Sequence, residues 1–377
     1  MMNASMIYWI YGKIELIALE NLLKVVKSVD STHMGLGVPM AFSLLSVLAN
    51  QSVFLIASTG SGKTRIIESI CENCVKLPNT KIDDWASMAY YQLIERIGIC
   101  HNKNLLWTVQ EWSNLSEYHR ETLLAIASRV QTDHKFERTF QKGSGAIGLI
   151  QIINCNLVML IAIQPVKFTK LMTQSENWNS LAEDRFVKLP LFNPLRKDEI
   201  DTIPKFELPK DLFVLEYRKS QPKSNIISKM LRNHMSDTRS KLSSARYAEA
   251  WCWINGNERF TDVDEMQFYS MFNTYLELYP SLIRGYDPDR DPGFYTGAYR
   301  TLEFMLQKDN FDKGYVEVND LVKNFHMEAP DIGNSQSTIY RHLQLLKHKN
   351  LVKNNSPTWS ISKDIQSFFE RYREMWT

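Results

Sequence analysis

The sequence predicts an α/β fold built on a parallel sheet, followed by a helical segment and a small α+β module. Three observations carry this. Short apolar runs (SVFLIA 52–57, NLLWTV 104–109, LVMLIAI 157–163 and FVKLPLF 186–192) alternate with helical patterns at 63–76, 85–98 and 116–130, and that alternation builds parallel sheets. A glycine-rich turn follows the first run at once. Beyond residue 193, prolines at 194, 204, 209 and 222 give way to long helical stretches at 224–256 and 262–280 with no strand between them.

Each element has its own reason. Residues 12–28 carry apolar residues at helical spacing and predict a helix that packs on the main domain. The four apolar runs are rich in β-branched and aromatic residues and bounded by turn residues, as buried strands are. DPDRDPG (287–293) is a turn-rich linker. The boundaries that follow are 1–192 for the α/β core, 193–286 for a helical lid and 294–377 for the C-terminal module. A chain of 377 residues accommodates this count at roughly 150 residues per domain.

Composition excludes several classes. Apolar residues at 44% and charged residues at 23% are ordinary for a globular chain and rule out disorder, a collagen-like fibre and a disulfide mini-protein. Lys+Arg number 44 and Asp+Glu 42, so the net charge of +2 points to no acidic partner, and charge has to be read locally. Five scattered cysteines, an odd number, predict reduced thiols in a cytoplasmic compartment. Cys71 and Cys74 form a lone CxxC without the second pair a zinc ribbon needs, and read as helix packing. Lys13, Glu15 and Glu20 interrupt the apolar N-terminal stretch, which lacks the basic start of a signal peptide. The longest apolar run, Leu157 to Ile163, is far short of the ~20 residues that cross a bilayer, so no membrane partner is expected.

The chemistry starts at ASTGSGKT: Ala57, Ser58, Thr59, Gly60, Ser61, Gly62, Lys63 and Thr64. It fits the phosphate-loop pattern G-x-x-x-x-G-K-[ST] with alanine in the first glycine's place. Gly60 and Gly62 let the backbone curl so that successive N–H groups face phosphates. Lys63 brings a positive charge to the β/γ-phosphates, Thr64 offers a hydroxyl to Mg²⁺, and the next helix presents its positive end. A strand before and a helix after supply the required context. The fold class is therefore a P-loop NTPase, with ATP and Mg²⁺ as ligands.

Such a site also needs a carboxylate at the end of a neighbouring strand, to hold Mg²⁺ and polarise water. LLWTVQEW (105–112) stands in that place, but reads Gln110–Glu111 where an Asp–Glu pair is usual. Glu111 can orient the attacking water; Gln110 is neutral and holds the Mg²⁺ hydration shell more weakly. The bland alternative for Glu111 is a solvated strand-end acid. Asp83–Asp84 has no strand ahead of it and reads as a helix cap.

From 33 to 280 the chain resembles the AAA+ ATPases, and within them the MCM-type helicase module. QEWSNLSEYHRETLLAIASRVQT (110–132) and KGSGAIGLIQIINCNLVMLIAIQP (142–165) are similar to the family's Walker B, pre-sensor hairpin and sensor-1 stretches. The resemblance implies that Gln164 stands at sensor 1, where the family has Asn, and that Lys142 lies near a hairpin tip facing DNA, against the simpler reading of a solvated loop lysine. LAEDRFVKLPLF (181–192) implies an arginine finger at Arg185, against a surface arginine paired to Glu183 or Asp184. TRSKLSSARYAEAWCWINGNERFTDVDEM (238–266) resembles the family's sensor-2 helix and the helix after it and implies a sensor-2 residue at Arg239, against solvated helix faces for Arg239 and Arg246. The chain shows no counterpart of the family's N-terminal DNA-binding domain with its zinc site. An ATPase joined to a winged helix is the layout of related origin-binding initiators.

Residues 298–377 read as that winged helix. AYRTLEFMLQ (298–307), VNDLVKNF (318–325) and SQSTIYRHLQLLKHKNLV (335–352) supply three helices, with Ser335 as a cap and Ile339, Leu343, Leu346 and Leu351 as the buried stripe. VKNNSPTWSIS (352–362) reads as the wing. The window 333–363 holds Arg341, Lys347, Lys349, Lys353 and Lys363 and no acid. Ser335, Gln336, Ser337, Thr338, Tyr340 and Arg341 begin the third helix and would enter a major groove. Lys347, Lys349 and Lys353 would meet phosphates. The alternative is a protein-docking module.

Three functions compete. The first is an ATP-driven enzyme acting on DNA, in replication initiation or helicase-like remodelling. Lys63, Thr64, Glu111 and Gln164 would then act in cis and Arg185 and Arg239 from a neighbour, in a homo-oligomeric ring or filament with a hexamer expected. The second, motivated by Gln110, is a hydrolysis-impaired, nucleotide-gated DNA-binding scaffold or regulator. The third is a chaperone or signalling NTPase whose winged helix never meets DNA.

Overall fold

The computed structural model describes residues 20–31, 33, 35–57, 60–73, 79–81, 99–101, 104–141, 145, 147–174, 176–191, 224–282, 297–306, 308–328, 335–363, 365, 366 and 370. The predicted helix at 85–98, residues 193–223, the linker 287–293, and Cys74, Asp83, Asp84 and Lys142 lie outside them, as do Ser58 and Thr59 of the loop.

The core runs α1 (Glu20–Asp30), α2 (Gly37–Leu48), β1 (Ser52–Ile56), α3 (Lys63–Asn73), β2 (Asn79–Lys81), β3 (Ile99–His101), β4 (Asn104–Val109), a 3₁₀ turn (Trp112–Asn114) and α4 (Glu117–Asp133). It continues through β5 (Lys135–Gln141), β6 (Ile147–Ile153), β7 (Asn156–Ile163), α5 (Pro165–Gln174), α6 (Glu176–Arg185) and β8 (Phe186–Pro190). Three helices follow: α7 (Asn225–Leu231), α8 (Asp237–Asn255) and α9 (Asp262–Leu282). The C-terminal part holds α10 (Tyr299–Met305), α11 (Lys308–Lys313), β9 (Val316–Glu317), α12 (Val318–Glu328), α13 (Gln336–His348), β10 (Val352–Asn354) and β11 (Thr358–Ile361).

The principal sheet is five-stranded and parallel, in the order β2-β4-β7-β1-β8. This is the α/β P-loop fold that the strand pattern predicts. All five residues of β1 and of β8 are buried, as expected where helices cover both faces. Phe54 packs on Phe168 from α5 and Phe186 from β8, with centroids 5.2 and 4.5 Å away. Truncating such a side chain to alanine costs about 3–5 kcal/mol. A second sheet, β3-β6-β5, is mixed: β3 and β6 are parallel, and β5–β6 is an antiparallel hairpin. Strands β2 and β3, of three residues each, are too short to announce themselves by periodicity.

The helical stretch predicted over 224–256 is two helices, α7 and α8, broken at 232–236. Ser224 and Ser236 stand at their N-caps, and Ser224 Oγ accepts from Ile227 N. Helix α8 ends at Gly256 in the left-handed region, φ 72°. These helices join the core through an aromatic cluster: Phe42 of α2 stacks on Tyr247 at 5.4 Å and meets Phe272 edge-on at 5.0 Å. Ser46 Oγ and the Tyr247 hydroxyl bond at 2.8 Å inside it. On the β8 side, the buried Lys188 ammonium donates to the carbonyls of Ala182 and His234.

In the C-terminal part, the four helices α10 to α13 accompany the antiparallel sheet β10-β11-β9. The sequence pattern does not anticipate β9 and α11, which are too short to carry a period. Ile339, Leu343 and Leu346 are fully buried and Leu351 nearly so. Gly297 has no room for a Cβ, which would sit 2.0 Å from the His342 imidazole. Burial in that contact pushes His342 down to about 4.

Candidate nucleotide site

The parallel register brings the ends of three strands to one edge. Ile56 pairs with Ile163, and Ala57 N donates to Ile163 O at 3.2 Å. Gln164, the next residue, therefore lies beside the loop. Val109 pairs with Ile161, which brings Gln110 and Glu111 to the same edge. Ligands of open α/β sheets bind at this carboxyl edge.

The loop has the conformation its glycines permit. Gly60 and Gly62 have φ of 79° and 81°, a region costly for residues with a Cβ. A Cβ on Gly62 would also stand 2.3 Å from Leu36 Cδ1, and Leu36 is fully buried. Lys63 opens α3 and is 6% exposed; its ammonium donates to Ala57 O at 2.7 Å. Burial lowers the Lys63 pKa to about 8, against the opposing pull of Glu111 and Glu303; Arg300 adds to the lowering. Thr64 lies in the first turn of α3 and is half-buried.

Glu111 caps the 3₁₀ turn, its Oε1 accepting from Ser113 N at 3.2 Å. Gln110 Nε2 donates to Glu68 Oε1 at 3.4 Å, and Glu68 also pairs with Arg65 at 3.2 Å. Gln164 O accepts from Phe168 N at 2.8 Å, which starts α5. Lys63, Thr64, Gln110, Glu111 and Gln164 thus gather around one loop.

Arg185 and Arg239 do not join them. Phe186 pairs with Ser52, the first residue of β1, so Arg185 sits at the opposite edge of the sheet. Five residues of parallel strand separate the two edges by about 17 Å. Arg239 Nε lies 3.2 Å from Asp184 Oδ2 and Arg185 Nε 3.8 Å from the same oxygen. Ser236 Oγ donates to Asp184 Oδ1 at 2.9 Å, and Gln51 Nε2 donates to Arg185 O. A cavity of about 60 Å³ opens there, lined by Arg185, Arg239, Arg246 and His134 among others.

On α13, Ser337, Tyr340, Arg341 and Lys347 are exposed, as is Lys353 on β10; Thr338 and Lys349 are half-buried. Ser335 Oγ accepts from Thr338 N at 3.2 Å and bonds the hydroxyls of Ser337 and Thr338, so these hydroxyls serve the helix start.

Sequence reasoning missed Glu68, Arg300 and Glu303. Glu68 stands four residues after Thr64, a spacing that puts both on one helix face. Arg300 and Glu303 influence Lys63 only electrostatically, through the tertiary fold, which no spacing announces.

No protein-family model matches the chain, and no curated protein matches it. Among solved structures the chain is similar to the Thermotoga maritima RuvB Holliday junction branch migration motor, at 12% identity over 88% of this chain and 94% of that one, TM-score 0.25. It is similar to the Aeropyrum pernix ORC2 protein, at 12% identity over 90% and 93%, TM-score 0.25. It is also similar to the NrS-1 C-terminal region, at 11% identity over 91% and 74%, TM-score 0.27. Superposition at these scores is poor, and the fold class rests on this chain's own strand order and loop. Among the described residues, no helix is long and apolar enough to cross a membrane.

Proposed function

We propose that this chain is an AAA+-type ATPase acting on DNA, with ATP sites completed between copies of the chain. One observation carries the reading: Lys63, Glu111 and Gln164 occupy one edge of the sheet, and Arg185 and Arg239 the other. A head-to-tail assembly would put one copy's arginines against the next copy's phosphate loop, and such heterologous contacts build rings or filaments. A hexameric ring is the expected form.

The residues present suit a nucleotide. The positive-φ glycines curl the loop and Leu36 closes the space a side chain would need, leaving main-chain N–H groups to cradle phosphates. A buried lysine with a lowered pKa gains its full charge once an anion arrives. Ala57 to Thr64 would hold the phosphates, Lys63 meeting the β/γ oxygens. Thr64 and the Gln110 end of β4 would hold Mg²⁺, which would supply positive charge to neutralise charge developing on the phosphates. Glu111, held by Ser113, polarises the attacking water, and Gln164 orients it. The neighbour's Arg185 and Arg239 stabilise transition-state charge.

The exposed Tyr340, Arg341, Lys347 and Lys353 support a winged-helix contact with DNA phosphates and a groove. The neutral Gln110 favours a second reading of the same site: a nucleotide-gated DNA-binding scaffold that hydrolyses ATP poorly. ATPase rates with and without single- and double-stranded DNA, on protein whose mass with ATP is also measured, decide between them. Tight ATP binding without turnover, even with DNA, would sink the enzyme reading and leave the scaffold.

A further inference from the structure

The end of β4 lacks the carboxylate that a Mg²⁺–nucleotide site ordinarily draws on, and the structure places another one beside the gap. Gln110 can donate to a carboxylate from its amide nitrogen only, and Nε2 lies 3.4 Å from Glu68 Oε1. Glu68 comes from α3, one helical turn beyond Thr64 and on the same face. Its other oxygen pairs with Arg65 at 3.2 Å, with side chains 36% and 43% exposed. An exposed i,i+3 pair of this kind holds its partners weakly, so it does not account for Gln110 being drawn to the same carboxylate. Glu111 is engaged at Ser113 N, and Glu303 pairs with Arg300 at 3.6 Å. Among the described residues no group of three or more acidic, histidine or cysteine side chains could hold a metal by itself. Mg²⁺ bound with nucleotide phosphates and waters draws on only one or two carboxylates.

We propose that Glu68 supplies the Mg²⁺ site's missing carboxylate: it accepts a hydrogen bond from a metal-bound water, and Gln110 holds it toward Thr64. This rests on the nucleotide reading above. It makes the neutral Gln110 one half of a relocated ligand pair rather than a defect.

The test measures the affinity of the full chain for a fluorescent ATP analogue, with Mg²⁺ and with a chelator in its place. In the wild type, Mg²⁺ should tighten binding. Glu68→Gln should reduce that gain by about tenfold or more, the usual effect of losing an outer-shell partner, and leave affinity in chelator unchanged. Arg65→Ala, which breaks the surface pair and keeps the carboxylate, should retain the gain. Glu68→Gln combined with Gln110→Asp should restore it. A Glu68→Gln variant with wild-type Mg²⁺ dependence, or one that weakens equally in chelator, overturns the proposal and leaves the nucleotide reading standing. Failure of the double variant to regain Mg²⁺ dependence also counts against it. A wild type that binds no nucleotide overturns both.

Discussion

Arg239 and Arg185 converge on one carboxylate oxygen of Asp184, at 3.2 and 3.8 Å, on the edge of the sheet that faces away from their own phosphate loop. Two guanidiniums from elements 54 residues apart are thereby held in one place. The Arg239–Asp184 pair is partly exposed and holds loosely, while the Arg185 side chain is only 14% exposed; in the proposed assembly a phosphate from another copy would compete with Asp184 for these cations.

Arg185→Ala should lower ATP turnover by about 10³-fold or more, the scale of a lost arginine finger, while the isolated subunit keeps its ATP affinity. Mixing Arg185→Ala with Lys63→Ala subunits should restore part of the rate, because mixed interfaces pair one intact half-site of each kind. Mixtures as inactive as their components would argue that the site is not shared.

Lys63→Ala should abolish ATP binding. In the wild type, burial sets the free Lys63 pKa at about 8, and phosphates favour the charged form. Binding above that pH must therefore take up a proton. Affinity should hold steady below pH 8 and fall by about tenfold per unit above it. Calorimetric titrations from pH 6.5 to 9.5 check this; an affinity flat across that range excludes a phosphate contact for Lys63.

On the scaffold reading Gln110→Asp should raise hydrolysis, whereas if Glu68 already supplies the carboxylate the turnover should stay near the wild-type rate. The new carboxylate lands beside Glu68, and the two repel in the absence of a cation. Mg²⁺ with ADP should accordingly raise the melting temperature of this variant more than that of the wild type. An unchanged turnover rate would show that Gln110 is not what limits hydrolysis.

DNA affinity should fall steeply with salt if the basic window 333–363 meets phosphates. Replacing Arg341, Lys347 or Lys353 by Gln should lower the slope of log K against log salt by about 0.9 for each phosphate that is no longer neutralised. A flat salt response in the wild type would favour a protein-docking role.

Tyr247→Phe removes a buried hydroxyl that bonds Ser46 Oγ across the α2–α8 contact at 2.8 Å. The change should cost about 1–2 kcal/mol, since Ser46 Oγ keeps its bond to the Phe42 carbonyl. Chemical denaturation reads the difference.

Much of this was legible in one dimension because the signals are local. Periodicity marks strands and helices, and ASTGSGKT writes its backbone conformation into its glycines, as the positive φ of Gly60 and Gly62 shows. Gln110–Glu111 announced both the strand end and its missing charge. What the sequence by itself determined was the parallel α/β core, the loop and the order of motifs. Only the tertiary structure decided which residues share an edge. Register, not spacing, puts Gln164 beside Ala57 and carries Arg185 to the far end of β1. Helix packing brings Arg239 onto Asp184, and the tertiary fold sets the charges of Arg300 and Glu303 that Lys63 feels. The physical reason is that strand direction and pairing are long-range choices, made by burial of whole faces. No window of residues contains the partner that settles them.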